Sequence, residues 1–73
     1  MARETVEAPI TGKIMSITVK VGDVVKEEDE ICILESMKME NPILAPLDGT
    51  IAEIGVTPDL VVKPGDMIAI IEY

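Results

Sequence analysis

Ala8-Pro9-Ile10-Thr11-Gly12 opens a stretch, residues 8–36, that is written a second time as residues 45–73, beginning Ala45-Pro46-Leu47-Asp48-Gly49. The offset is a constant 37, no gap is needed, and 13 of the 29 aligned positions are identical. Apolar identities (Ile14/Ile51, Ile17/Ile54, Val24/Val61, Val25/Val62, Ile31/Ile68, Ile33/Ile70) alternate with turn-forming ones (Gly12/Gly49, Asp29/Asp66). Two copies of one supersecondary unit are expected, each too short to bury its own apolar face and so packed on the other. The unrepeated connector, Met37 to Leu44, is expected to be a turn on the pseudo-symmetry axis, and it contains Lys38.

Within each copy the pattern is that of strands. Proline removes a ladder donor and glycine admits positive φ, so both Ala-Pro…Gly openings read as bends whose glycine opens a strand. Ile17, Val19 and Val21 alternate with Ser16, Thr18 and Lys20, a period of two with one wet face, and Ile54 and Val56 repeat it. Gly22-Asp23 closes that strand. Glu27-Glu28-Asp29-Glu30 reads as a solvated loop, and its copy Pro64-Gly65-Asp66 is a stronger turn sequence, so one geometry is expected in both halves. Ile31-Cys32-Ile33-Leu34 and Ile68-Ala69-Ile70-Ile71 are short apolar runs suited to strands in the middle of a sandwich. No stretch has helical spacing between caps. The expected fold is all-β: a flattened barrel or sandwich of two four-stranded antiparallel sheets with internal two-fold pseudo-symmetry and the lysine on a hairpin turn. The chain termini are expected at the pole opposite Lys38.

Seventy-three residues make a single domain, residues 1–73, with residues 1–5 expected to fray. Ile and Val together number 19, Phe and Trp are absent, and Tyr73 is the one aromatic, so the core is thin, aliphatic and without the rings that line small-molecule pockets. An enzyme in its own right is not expected, and no catalytic or metal-binding residue is assigned. A net charge of −8, from 6 basic and 14 acidic residues, opposes a polyphosphate backbone and excludes nucleic acid as partner. Cys32 is alone, so no internal disulfide forms, and a small buried residue is the expected reading. No apolar run follows Met1-Ala2-Arg3-Glu4-Thr5 and nothing approaches a membrane span, so a cytoplasmic protein without membrane insertion is expected.

Lys38 is set apart by its surroundings. It falls in the break of the repeat, between Met37 and Met39, with Glu35 and Ser36 before them and Glu40 after. Methionine is ordinarily core filler, but two at an exposed hairpin tip form a soft, adaptable contact for a partner that grips it. Catalytic lysines lose their proton through burial or a neighbouring cation, whereas the nearest charges here, Glu35 and Glu40, favour the ammonium. The domain therefore does not activate its own lysine, and any acylation needs a separate enzyme that binds the tip.

The run Glu35-Ser36-Met37-Lys38-Met39-Glu40-Asn41 at the centre of an ungapped repeat resembles the modification hairpin of biotin carboxyl carrier domains, within the biotinyl/lipoyl attachment family. The resemblance extends from about Val6 to Glu72 and is similar in scale to short single-domain attachment proteins and to the carrier tails of multidomain carboxylases. Ser36 stands where many carriers have alanine, Glu28 where the loop usually has glycine, and Pro58-Asp59 where Glu-Gly is common. The extra "thumb" loop of some bacterial acetyl-CoA carboxylase carriers has no counterpart.

What the resemblance implies is covalent biotin on Lys38, loaded by a biotin protein ligase from biotinyl-adenylate. The arm would then carry CO2 as carboxybiotin between a biotin carboxylase and a carboxyltransferase or decarboxylase, with Met37, Met39, Glu35, Ser36 and Glu40 as recognition residues. An isolated domain of this kind is expected to be monomeric. Lipoate is the alternative group for Lys38, although lipoyl domains usually present Asp-Lys-Ala, and an unmodified adaptor is the reading from another class.

Overall fold

The computed structural model describes residues 1–73 as eight strands and no helix: β1 (Arg3–Glu7), β2 (Gly12–Ile17), β3 (Val24–Val25), β4 (Glu30–Ser36), β5 (Met39–Leu44), β6 (Gly49–Ile54), β7 (Val61–Val62) and β8 (Met67–Glu72). They form two four-stranded antiparallel sheets, in the orders β1-β8-β6-β3 and β5-β4-β2-β7. Adding 37 to every residue number turns the second order's copy-one strands into the first order's copy-two strands, so the internal two-fold holds at the level of topology. Each sheet has its two inner strands from one copy and its two edge strands from the other. Neither copy completes a sheet alone, the interdependence expected of two half-units sharing a core.

Fifteen residues are buried, all of them aliphatic, alanine or cysteine, and no polar side chain is among them. They are seven pairs related by the repeat, from Val6/Ile43 through Leu34/Ile71, together with Val56, whose counterpart Val19 packs half-buried against the same core. The apolar runs in β4 and β8 bury three of four residues each, as befits inner strands. Burial of Cys32, with a smaller contribution from the Glu30 charge, pushes its thiol up to about 11. A buried, protonated thiol is unreactive, in keeping with its role as a small core residue beside Ala69 in the repeat.

A bulge explains an oddity of the alternation. Ile14 and Ile17 are three apart yet both face the core, because the β2–β4 register shifts between Ile14 and Ser16 and leaves Met15 without a partner. Its copy falls between Ile51 and Glu53 in the β6–β8 ladder. One extra residue in a period-two strand restores the inward phase after the bulge. β2 then ends at Ile17, and Val21, expected to continue the inward face, is instead exposed. The cause is the turn at Lys20–Asp23, in which the Asp23 carboxylate accepts from the Lys20 N–H at 3.0 Å and carries Val21 out onto the surface.

The loops at residues 26–29 and 63–66 share one geometry, as the repeat predicts. Asp29 and Asp66 each accept from the backbone N–H three residues earlier at 2.9 Å, and each donates its own N–H back to that residue's carbonyl. Glu28 takes the left-handed position (φ 74°) that Gly65 (φ 91°) takes in the other copy, and Asp59 (φ 73°) likewise stands in for Gly22 (φ 96°).

Three expectations are corrected. Gly12 and Gly49 do not have positive φ. A Cβ at Gly12 would lie 2.5 Å from the Glu35 carbonyl oxygen, and one at Gly49 would strike the Glu72 carbonyl and Ile71, so both glycines are required by close approach of strands. Residues 1–5 do not fray as a whole: Arg3–Thr5 pair with Glu72–Ile70, Arg3 forms ion pairs with Glu53 and Glu72, and Ala2 and Tyr73 exchange two backbone hydrogen bonds of 2.9 and 3.0 Å. The connector is not all turn, since Met39–Leu44 is strand β5, the structural copy of β1. Only Met37 and Lys38 remain outside the repeat.

The body measures 36 × 18 × 17 Å. From the lysine turn β5 runs six residues, roughly 20 Å at strand rise, to Ala45, which is held at the 26–29 loop by hydrogen bonds to Glu28 and Asp29. Asp48 accepts from the Glu27 N–H at the same loop, and Gly49 then starts β6 beside Glu72. The paired termini therefore lie at the end of the body away from Lys38.

Candidate functional site

The last ladder pairs of β4 and β5, Glu35 with Glu40 and Ser36 with Met39, leave two residues to close the hairpin. Met37 and Lys38 do so with φ of 54° and 65°. Two central residues with positive φ are the mark of a type I′ turn, whose twist matches that of the flanking strands and whose usual occupants are Asn and Gly. Neither occupies it here. Holding two L-residues with Cβ atoms in this region costs about 1 kcal/mol or more each, a strain that concentrates at functional sites.

All six residues singled out in the sequence come together at this end of the molecule. Met37 is 91% exposed and Met39 67%, Lys38 and Glu40 are exposed, and Glu35 and Ser36 are half-buried. No ion pair holds Lys38, the three in the molecule being Arg3–Glu53, Arg3–Glu72 and Lys13–Asp59. The Lys38 amine is thus free of the body that carries it. Sequence reasoning gave no role to Asn41, whose side-chain amide donates to the Met39 carbonyl at 3.3 Å and ties the start of β5 just beyond the turn. A short amide that reaches backbone two residues away is a general habit of asparagine and was the available signal.

The repeat supplies an internal control for the electrostatics. At the terminal pole the pair equivalent to Glu40–Glu35 is Arg3–Glu72, joined at 3.1 Å, with Arg3 also 3.2 Å from Glu53. At the lysine pole the same two ladder positions hold two carboxylates directly opposite each other, an arrangement unfavourable to the sheet itself. Lys13 on β2, directly opposite Glu35 in the β2–β4 ladder, is the neighbouring cation in that row.

The arrangement is suited to presentation. An amine stands on a strained, two-residue turn between exposed thioethers, on a β-sheet frame that fixes its position. A group attached to it has no enclosing wall at the tip, since the molecule's groove runs along β1 and β5 among residues 4–9 and 42–46. A long acyl group on Lys38 fits this geometry: there is room for it, no pairing to break, and no pocket that would sequester it.

Comparison with known proteins agrees with the geometry. The family model described as "Biotin-requiring enzyme" (Biotin_lipoyl) matches residues 4–71. The biotin carboxyl carrier protein of Streptococcus mutans is 45% identical over 65 residues, which is 89% of this chain and 50% of that protein. A biotinylated protein TB7.3 homolog of Mycobacterium leprae is 38% identical over 68 residues, covering 93% of this chain and 96% of its own. Among solved structures, the urea carboxylase of Kluyveromyces lactis superposes with a TM-score of 0.92 at 29% identity, over 99% of this chain and 6% of that enzyme. The chain thus spans half or less of two of these proteins and nearly all of the third. A strained lysine turn at the break of a two-fold β-repeat, with residues 4–71 matched throughout, places the chain in the Biotin_lipoyl family of biotin-requiring enzymes.

Proposed function

We propose that Lys38 is the attachment point of biotin, and that the domain is a non-catalytic carrier working between a biotin carboxylase and a carboxyltransferase or decarboxylase. The observation that carries this reading is the turn itself: Lys38 exposed and unpaired at positive φ, between Met37 and Met39 that contribute nothing to the core. Relatives named as a biotin carboxyl carrier protein and a biotinylated protein support it.

When bound, biotin supplies a ring that takes up and gives back a carboxyl group. The protein's own residues do the rest. Lys38 Nζ provides the amide nitrogen, and the ligase that binds the tip takes up the proton released when the amide forms. Met37 and Met39 offer polarizable surface that adapts to successive partners. Glu35 and Glu40, with Ser36, mark the β4–β5 end for a partner carrying positive charge, and the sheet beneath holds the turn still. Carrying the ring on a tethered domain raises its effective concentration at each active site without any chemistry here.

Intact mass after incubation with a biotin protein ligase, ATP and free biotin tests this. A gain equal to biotin minus water, absent in Lys38→Arg, is expected. A gain equal to an octanoyl or lipoyl group after incubation with lipoate-attaching enzymes, and none with biotin, would replace biotin by lipoate.

A further inference from the structure

A groove of about 330 Å3 runs along the middle of the body, between the edge strands of the two sheets. β1 is the outermost strand of one sheet and β5 of the other, so each leaves one long edge of backbone without a neighbouring strand. The repeat relates the walls position by position, yet their chemistry differs. The β1 wall carries Glu4 and Glu7, and the equivalent positions on the β5 side are Asn41 and Leu44. Glu4 and Glu7 have no ion-pair or side-chain hydrogen-bond partner within the molecule, and no lysine or arginine lines the groove. Opposite them, Leu44 is 44% exposed beside Pro42.

The edges are not equal as templates either. Pro42 interrupts the donors of β5, which blunts it against pairing, whereas β1 has no proline between Arg3 and Glu7. A free, proline-less edge bounded by carboxylates on one side and aliphatic surface on the other has a definite complement. We propose that this groove docks an extended segment of a partner protein, paired with the edge of β1 and carrying two basic side chains three residues apart with aliphatic ones between them. Glu4 shares the inward face of β1 with Val6 and Glu7 lies on the opposite face, so basic side chains three apart, one on each face, meet the two carboxylates, and the aliphatic side chains meet Leu44 and Pro42. Strand addition of this kind takes affinity from main-chain hydrogen bonds and selectivity from alternate side chains. A second copy of this chain is a poor occupant, because pairing β1 with β1 would bring the same carboxylates together and the chain's net charge is −8.

Residues 36–39 take no part in the groove, so a partner seated there holds the carrier by its waist and leaves the lysine turn exposed. The inference does not depend on which group Lys38 carries.

Backbone amide shifts of the 73-residue chain, titrated with the end-blocked peptide Val-Lys-Val-Val-Lys-Val, test it. Saturable shifts are expected at Glu4–Glu7 and Ile43–Leu44, with residues 36–39 unmoved. The affinity should fall roughly three- to tenfold in Glu4→Gln/Glu7→Gln, as loss of two exposed ion pairs implies, and fall again with added salt. The peptide with glutamate in place of lysine should not bind. Four results overturn the proposal: no saturable shift at millimolar peptide, shifts centred on the Glu27–Glu30 loop or the lysine turn, equal binding of the glutamate peptide, or an unchanged affinity in the double variant. Peptide-independent dimerisation through β1 would assign the groove to a second copy instead and equally overturn it.

Discussion

Met37→Asn separates the two roles that the first residue of the lysine turn can have. Met37 sits at φ 54° and is 91% exposed, so its side chain contributes almost no packing while its backbone occupies a region costly to a residue with an ordinary Cβ. Asparagine visits that region readily, and is the residue type I′ turns prefer at this position. The substitution is therefore expected to stabilise the domain by about 1 kcal/mol, a substantial fraction of the roughly 4–11 kcal/mol that 73 residues ordinarily provide. That is about a 1 M rise in urea midpoint at unchanged slope, or some 4–8 °C in Tm. Loading by a biotin ligase and carboxyl transfer with partner subunits should fall at the same time, because the thioether contact is gone. Met39→Ala, at a 67% exposed position, is the companion: stability within about 0.5 kcal/mol of wild type, with altered handling by partners. A fall of 2 kcal/mol or more in either variant would show that the methionines pack on the body. Unchanged loading and transfer in both would remove the recognition role.

Lys38→Arg should fold normally and show no streptavidin signal, since a guanidinium is not acylated under conditions that acylate an amine; a persisting signal would move the site to another lysine. Gly12→Ala and Gly49→Ala should each cost about 1–3 kcal/mol in urea melts through contact with backbone carbonyls of the partner strand. Asparagine distinguishes the cause: Gly65→Asn, at positive φ with open space around it, should cost well under 1 kcal/mol, whereas Gly12→Asn should be worse than Gly12→Ala. Glu28→Gly should stabilise by about 1 kcal/mol by relieving φ 74° at an exposed position, and a loss of stability there would show that the Glu28 side chain has a structural contact. Cys32 should resist alkylation until the domain unfolds. Because the folded thiol keeps its proton to about 11 while the unfolded one ionises near 9.0, the unfolded state binds fewer protons between those values, so stability should decline as pH rises through that window.

The strands that carry the core were legible because their repeat is written in identical residues: Ile14/Ile51, Ile31/Ile68 and Val25/Val62 occupy matching places in matching sheets. β1 and β5 were not recognised as copies because residues 2–7 and 39–44 share no identity. They are edge strands, each facing different surroundings, and only the need for a buried aliphatic at Val6 and Ile43 is common to both. The glycines were misassigned for a related reason. Absence of a Cβ serves both positive φ and close approach, and sequence alone does not say which operates; the left-handed positions proved to be Gly22 and Gly65, with Asp59 and Glu28 accepting the same strain in the other copy. The lysine turn was legible because a repeat makes its own exceptions visible. The reversal of charge between Arg3–Glu72 and Glu40–Glu35 was hidden until the ladders aligned those pairs.

The hydrogen-bonded meeting of Ala2 with Tyr73 repeats, at the other pole, the meeting of Met39 with Ser36. Topologically the domain is a closed ring of two equal arcs, bridged by two residues at one junction and cut at the other. Where the bridge is made and where the cut falls are interchangeable as far as the body is concerned. A chain begun at Met39, run through Tyr73, bridged by two residues into Ala2 and ended at Ser36 would traverse the same ladders in the same order. What such a permuted chain would lose is the strained junction at Met37 and Lys38, so the fold fixes where a presented residue can stand, while the position of the bridge decides which pole presents it.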